Sequence, residues 1–296
     1  MVLAHLLSDA PIPYKGFPSF TQWSMFTPDI YRWESSMINI KELEMSSEIL
    51  QAIRLVIKDA AFACLNKSKR TAKEKAEIPL FKSMCEALIP EGSIDTKVIL
   101  KSRLAIYDYL IDFAVTGKKI SIPWICKLHA LILSTYKFQR ASKANCITEC
   151  CHQQPGQFKH SNNRIERETQ QALFGAPVER TSAEMQKYCH ELRSKLFLKA
   201  HPILQASYAH YALVTIHPFA NGNGRTARSL AFTFMYRSNS IPILSLNQDR
   251  VEYISALRAA DTGDFQPFIE LVQERSIESA TQIKRSILSA MQQIES

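Results

Sequence analysis

His217-Pro218-Phe219-Ala220-Asn221-Gly222-Asn223-Gly224-Arg225-Thr226-Ala227-Arg228 interrupts two helical patterns with a loop unlike the rest of the chain. Two of the chain's 8 glycines fall here, flanked by two asparagines and followed by arginines one helical turn apart. Upstream, Ile203–Ile216 has an apolar face built from Ala206, Ala209, His210, Leu213 and Ile216, so a helix is expected. Downstream, Arg225–Tyr236 reads as a second helix. The loop His217–Gly224 therefore joins two helices and presents the N-terminus of the second.

The residue types in that loop suit a phosphate group. Gly222 and Gly224 permit positive φ and leave backbone N–H groups unshielded. Successive N–H groups in such a turn form an anion-binding nest, and the helix that follows adds its dipole. Arg225 can fork onto phosphate oxygens, and Arg228, one turn on, shares its face. Asn221 offers a neutral oxygen suited to a phosphate-bound Mg²⁺, an ion that takes few protein ligands. His217 titrates near neutrality and can take a proton from an attacking hydroxyl. Each feature alone is an ordinary turn or helix end; their conjunction describes a phosphate cradle with a base at its edge. Phe219, apolar inside a polar loop, is expected to pin the loop to the core.

Outward from the loop the chain is mostly helical. Patterns run over Ile40–Leu65, Val98–Val115, Ile122–Tyr136 with Ser121 as cap, and Thr181–Leu198 with Thr181 or Ser182 as cap. Asn247 or Asp249 opens a further helix through Ala260, and Phe268 to about Gln293 forms the last. Residues 1–40 carry Pro11, Pro13, Pro18 and Pro28 among aromatics and read as an irregular arm packed on a core. Residues 137–180 form the longest irregular stretch, with one small hairpin expected inside 157–176. The fold class is all-α.

Composition narrows the setting. Net charge is +8, from 36 basic and 28 acidic side chains, which serves solubility and allows an anionic partner. The charged run Asn66–Glu77 has no interleaved aromatics, so a solvated helix end or loop is expected and nucleic-acid binding is not. The 7 cysteines are odd in number and irregularly spaced, which fits a reducing, cytoplasmic setting. Delivery into another cell would leave no mark readable here. The apolar start Met1–Leu7 lacks the form of a signal peptide, and no membrane span is expected. Cys146, Cys150, Cys151 and His152 cluster, but without a second paired spacing reduced loop thiols are expected rather than a zinc site.

The loop resembles the motif of the Fic family, HPFx(D/N)GNGRxxR, at every fixed position. The resemblance spans roughly 96–275 and is weakest before 150. It includes His201-Pro202-Ile203 with Ala209-His210-Tyr211, then Gly156-Gln157-Phe158-Lys159, and the later Arg250, Tyr253, Leu257, Gly263-Asp264-Phe265 and Pro267. It implies a Fic-type helical fold with a small β-hairpin flap beside the active-site loop. It divides the chain into a region 1–95 of unknown role, a catalytic core 96–275 and a helical extension 276–296. It further implies an enzyme, a protein adenylyltransferase that moves AMP from ATP to a Ser, Thr or Tyr hydroxyl of a target protein, with Mg²⁺. His217 would be the base and Asn221 the metal ligand. Gly222, Asn223, Gly224, Arg225 and Arg228 would bind the phosphates. Tyr253 would either lie beside the adenine or simply pack. Asn163, Arg164 and Ile165 would form the target-binding flap.

Many members carry an inhibitory helix of the form (S/T)xxxE(G/N). No Ser or Thr in this chain is followed by Glu four positions later. Inhibition by a separate, antitoxin-like protein and an absence of such inhibition both remain open. Two other function classes share the fold: a different phosphoryl, nucleotidyl or phosphocholine transfer, and a non-catalytic nucleotide-binding module. Gly224-Arg225 argues against the kinase variant, and an intact His217 argues against the binding module.

Overall fold

The computed structural model describes residues 12–36, 96–140, 154–165, 173–238 and 249–294. The expected helix Ile40–Leu65, the run Asn66–Glu77 and the Cys146–His152 cluster lie outside them. The described residues are mainly helical. In chain order they form α1 (Phe20–Trp23), α2 (Ile30–Ser36), α3 (Thr96–Thr116), α4 (Ile122–Arg140), β1 (Arg164–Ile165) and β2 (Leu173–Phe174). There follow α5 (Val178–Glu191), α6 (Lys195–Lys199), α7 (Pro202–Ile216), α8 (Asn223–Arg237), α9 (Arg250–Asp261) and α10 (Gln266–Ile294).

The centre of the molecule is α7. Every one of its residues except Pro202 and Thr215 is buried. The expected apolar face is therefore only part of the story, because the helix is enclosed on all sides. Small residues (Ala206, Ser207, Ala209 and Ala212) let neighbours approach closely, and α8 makes the largest contact with it. Pro202 at the first helical position starts α7, with His201 as N-cap.

The arm is a component of this core. Ser19 and Gln22 form a capping box that starts α1. That turn delivers Phe20 and Trp23, both fully buried. The Trp23 indole stacks on Phe265 at 4.6 Å and on Tyr211 at 5.2 Å. Its Nε1–H donates to Ser207 Oγ at 3.1 Å, so the polar end of the ring is also satisfied. Trp33 of α2 repeats the arrangement against Ser276 of α10.

Several boundaries differ from expectation: the arm carries the short helices α1 and α2, α4 runs on to Arg140, α8 begins two residues early at Asn223, and α10 two residues early at Gln266. The segment 181–198 is two helices, α5 and α6, separated at Leu192–Ser194, where Ser194 caps α6 by accepting from Phe197 N–H. The first of them begins earlier, at Val178 after Pro177, and Thr181 donates to the Pro177 carbonyl instead of capping. Asp249 does cap α9, accepting from Val251 and Glu252 N–H.

Candidate active site

The loop between α7 and α8 begins with a backbone exception. His217 ends α7 in the left-handed region, φ 51° and ψ 56°, the one non-glycine residue with positive φ among those described. Such a conformation costs a side-chain-bearing residue of order 1–3 kcal/mol and persists only where its surroundings over-determine it. Here the His217 N–H still donates to Leu213 O at 2.9 Å, completing the helix.

The imidazole is set by α7 itself. Its Nδ1 lies 3.0 Å from the Val214 carbonyl oxygen. A carbonyl can only accept, so Nδ1 carries the proton, and in the neutral ring Nε2 keeps its lone pair. That is the tautomer a general base requires. The ring is half-buried.

Beyond His217 the loop is shaped by two asparagines. The buried Asn223 amide accepts from Phe219 N–H at 3.0 Å and donates to Phe219 O at 2.7 Å. Asn221 is exposed, and its Oδ1 accepts from Gly222 N–H at 2.6 Å and from Arg225 Nη2 at 3.5 Å. Gly222 is the left-handed N-cap of α8 (φ 80°), and a β-carbon there would come within 3.2 Å of His129 Nε2. Gly224 departs from expectation: it lies in the first turn of α8 without positive φ, and a β-carbon on it would meet only Arg228 Nη1, at 3.4 Å. Its service is to leave that face of the turn open. The first intrahelical bond of α8 runs from Thr226 N–H to Gly222 O, so the N–H groups of 223–225 precede the ladder and make an anion-attracting end. Arg225 is buried in that turn and Arg228 is half-buried one turn later.

Mg²⁺ finds a sparse donor set here. No group of three or more His, Cys, Asp or Glu side chains converges among the described residues. The loop offers one exposed side-chain amide oxygen, Asn221 Oδ1, bonded to Gly222 N–H, while Asn223 Oδ1 is buried and accepts from Phe219 N–H. Such a set fits an ion brought in on phosphates and keeping most of its waters, and does not fit a metal held by the protein alone.

His129 of α4, absent from the sequence reading, rivets the loop. Gly156 N–H donates to its Nδ1 at 3.0 Å, which leaves the proton on Nε2 to donate to Asn221 O at 2.9 Å. Its ring lies flat on Phe219, centroids 3.7 Å apart, and the buried Phe219 is pinned as expected. Burial drives the His129 pKa from 6.5 down to about 4, and Arg225 pushes the same way against the opposing Asn221 hydrogen bond. It is a neutral strut and not a second base.

The hairpin lies directly on the loop. Arg164 pairs with Phe174 and Ile165 with Leu173, and Ile12 of the arm bridges Leu173. The outer edge of β2 is thus engaged, and β1 carries the remaining edge. Of the three residues expected to meet a target, only Arg164 is exposed. Ile165 is buried by strand alternation, and the Asn163 side chain turns inward onto Phe219 O at 2.8 Å and His217 O at 3.4 Å. Gly175, also missed, sits so close to His217 that a β-carbon there would be 2.6 Å from His217 Cβ. Tyr253 is buried with its hydroxyl 3.2 Å from His210 Nε2 and its ring against Phe268.

Residues 119–235 match the family model described as Fic/DOC family. The chain is similar to the Protein adenylyltransferase Fic of Drosophila willistoni, 26% identical over 309 residues, covering 91% of this chain and 58% of that one. Its namesake in Drosophila mojavensis is 40% identical over 90 residues, covering 30% of this chain and 18% of that one. The chain therefore spans less than two thirds of either relative. A Fic family protein from Desulfovibrio desulfuricans G20 has a similar fold, with TM-score 0.56 at 16% identity, covering 88% of this chain and 75% of that one.

Proposed function

We propose, from the premise that this chain carries a Fic/DOC-family domain over residues 119–235, that it is a protein adenylyltransferase transferring AMP from ATP to a hydroxyl side chain of another protein. The observation that carries the reading is the 3.0 Å contact of His217 Nδ1 with the Val214 carbonyl, from which the base-competent tautomer follows, in the loop that leads into the anion-attracting end of α8. In this reading Nε2 takes the proton of a Ser, Thr or Tyr hydroxyl. The oxygen forms a bond to the α-phosphorus while the bond from that phosphorus to the bridging oxygen breaks, and pyrophosphate leaves. The N–H groups at the start of α8, with Arg225 and Arg228, hold the phosphates and offset the charge of the leaving group. Asn223 keeps the loop in shape. Mg²⁺ arriving with the nucleotide would neutralise phosphate charge, with Asn221 Oδ1 as its protein oxygen. The acceptor protein pairs its backbone with the β1 edge, since Ile12 already engages β2. Arg164, exposed on that strand, favours an acidic acceptor segment.

The absence of an (S/T)xxxE pattern supports regulation by a separate protein or none of this kind. The odd, irregular cysteines support a reducing, cytoplasmic setting. Among the described residues no helix is long and apolar enough to cross a membrane.

The test uses ATP labelled either at its α- or at its γ-phosphate, with Mg²⁺ and cell lysate as acceptor source. Protein-bound label from the α-position alone is the expected result. Label from the γ-position would make the chain a kinase-like phosphotransferase. ATP binding without label from either position would favour the non-catalytic module.

A further inference from the structure

Four consecutive carbonyl groups around the base accept hydrogen bonds from the hairpin. Ala176 N–H donates to Ile216 O at 2.9 Å, and Lys159 N–H donates to Pro218 O at 2.9 Å. Between and beyond them, Asn163 Nδ2 donates to Phe219 O at 2.8 Å and approaches His217 O at 3.4 Å. The left-handed residue of the site is thus held from outside its own helix, by two segments that converge at the hairpin base.

Lys159 decides how Asn163 faces. The residue is buried, at 3% exposure, and its Nζ donates to Asn163 Oδ1 at 2.7 Å. An amide has one accepting end and one donating end. With Oδ1 fixed on the ammonium, Nδ2 must face the carbonyls of His217 and Phe219. The buried lysine also lies within 3.1 Å of the space a Gly175 side chain would fill, beside His217 Cβ. Burial lowers its pKa from 10.5 to about 8, consistent with an amine retained for its geometry and not for surface charge.

We propose that Lys159 and Asn163 are positioning residues for His217, which lock the backbone of the base to the hairpin. The proposal rests on the adenylyltransferase reading above. Asn163 also accepts from Gly175 N–H at 3.3 Å, and its neighbour Arg164 begins β1. A guest strand paired with β1 is therefore one residue from the group that holds His217 O. Docking of the acceptor and aim of the base are set by one set of bonds.

The test compares full-length wild type with Asn163→Asp, Lys159→Arg and Lys159→Met. Asn163→Asp keeps shape and the lysine partner but turns the donor facing two carbonyls into an acceptor. It should lower α-label transfer at saturating ATP by about 10- to 100-fold, the scale of a misplaced reacting group. Its ATP half-saturation should stay within about two-fold. Lys159→Met should follow it, and Lys159→Arg should retain most of the rate. An unchanged rate in Asn163→Asp, or losses that track only a fall in Tm or in ATP affinity, would overturn the proposal. A second readout does not need turnover. In protein with nitrogen-labelled histidines, His217 should show the Nδ1–H tautomer set by Val214 O, and its ring signals should shift in Asn163→Asp as the backbone under the ring moves, while the opposite tautomer of His129 persists. Unchanged His217 signals would also overturn the proposal. A wild type that transfers no label would instead count against the enzyme reading and leave the imidazole measurement to decide the positioning role.

Discussion

Glycines 175 and 224 both lie at the site and should fail in different ways. A methyl at Gly175 would press on His217 Cβ at 2.6 Å and on Ile216 O at 2.9 Å. Gly175→Ala is expected to cost about 1–3 kcal/mol through overpacking and to lower transfer, seen as a reduced urea midpoint and a reduced rate. Gly224→Ala meets only Arg228 Nη1 at 3.4 Å, so it should keep the midpoint and lose nucleotide affinity. Equal midpoints for the two variants would contradict this account. His129 gives a pH signature. Its folded pKa of about 4 lies below the unfolded 6.5, so the native state binds fewer protons between these values. Stability is complete above about 6.5 and falls as pH drops toward 4, by on the order of 3 kcal/mol in all. His129→Phe keeps a ring on Phe219 and should flatten that part of the urea-midpoint profile, although it loses two hydrogen bonds. A variant profile parallel to wild type would show that another group is responsible.

The helices and the hairpin show why some features were readable from the chain and others were not. The loop 217–224 and its flanking helices are local: spacing, glycine and proline carry their signal over a dozen residues. Asp249 was readable as a cap for the same reason, since its partners are two and three residues on. The split between α5 and α6 was overlooked because the buried Leu192 and Phe197 keep the apolar pattern going across it, although Ser194, which caps α6 three residues before Phe197, is a local signal for it. His129 meets the loop across 92 residues, and Asn163 meets it across 56. Nothing in either neighbourhood marks these contacts. Asn163 was expected at the target because the family resemblance places a target-binding flap there; its amide instead donates to the loop carbonyls of Phe219 and His217. Tyr253, legible as a core or an adenine residue, meets His210 across 43 residues, a contact no local pattern marks.

The arm 12–36 binds the molecule together from its N-terminal side. Phe17, Phe20, Trp23 and Trp33 enter one core with α7 and α10, and Ile12 reaches the hairpin. A fully buried Trp→Ala change of this kind costs about 3–5 kcal/mol. Trp23→Ala is therefore expected to lower the urea midpoint in one cooperative transition, because the arm, α7 and α10 share that core. A separate early transition, with the later one unmoved, would show that the arm folds as its own unit. Through α7 the same core sets the position of His217, so stability and site geometry depend on one helix.

The central claim is that His217 Nε2 is the base for AMP transfer. The direct measurement is the rate of α-label transfer by wild type and His217→Ala at equal ATP occupancy, with ATP affinity measured on the same preparations. Loss of a general base predicts a fall of about 10²- to 10⁴-fold in rate with ATP affinity within about two-fold. Transfer at the wild-type rate, or a loss explained wholly by weakened ATP binding, would contradict the claim.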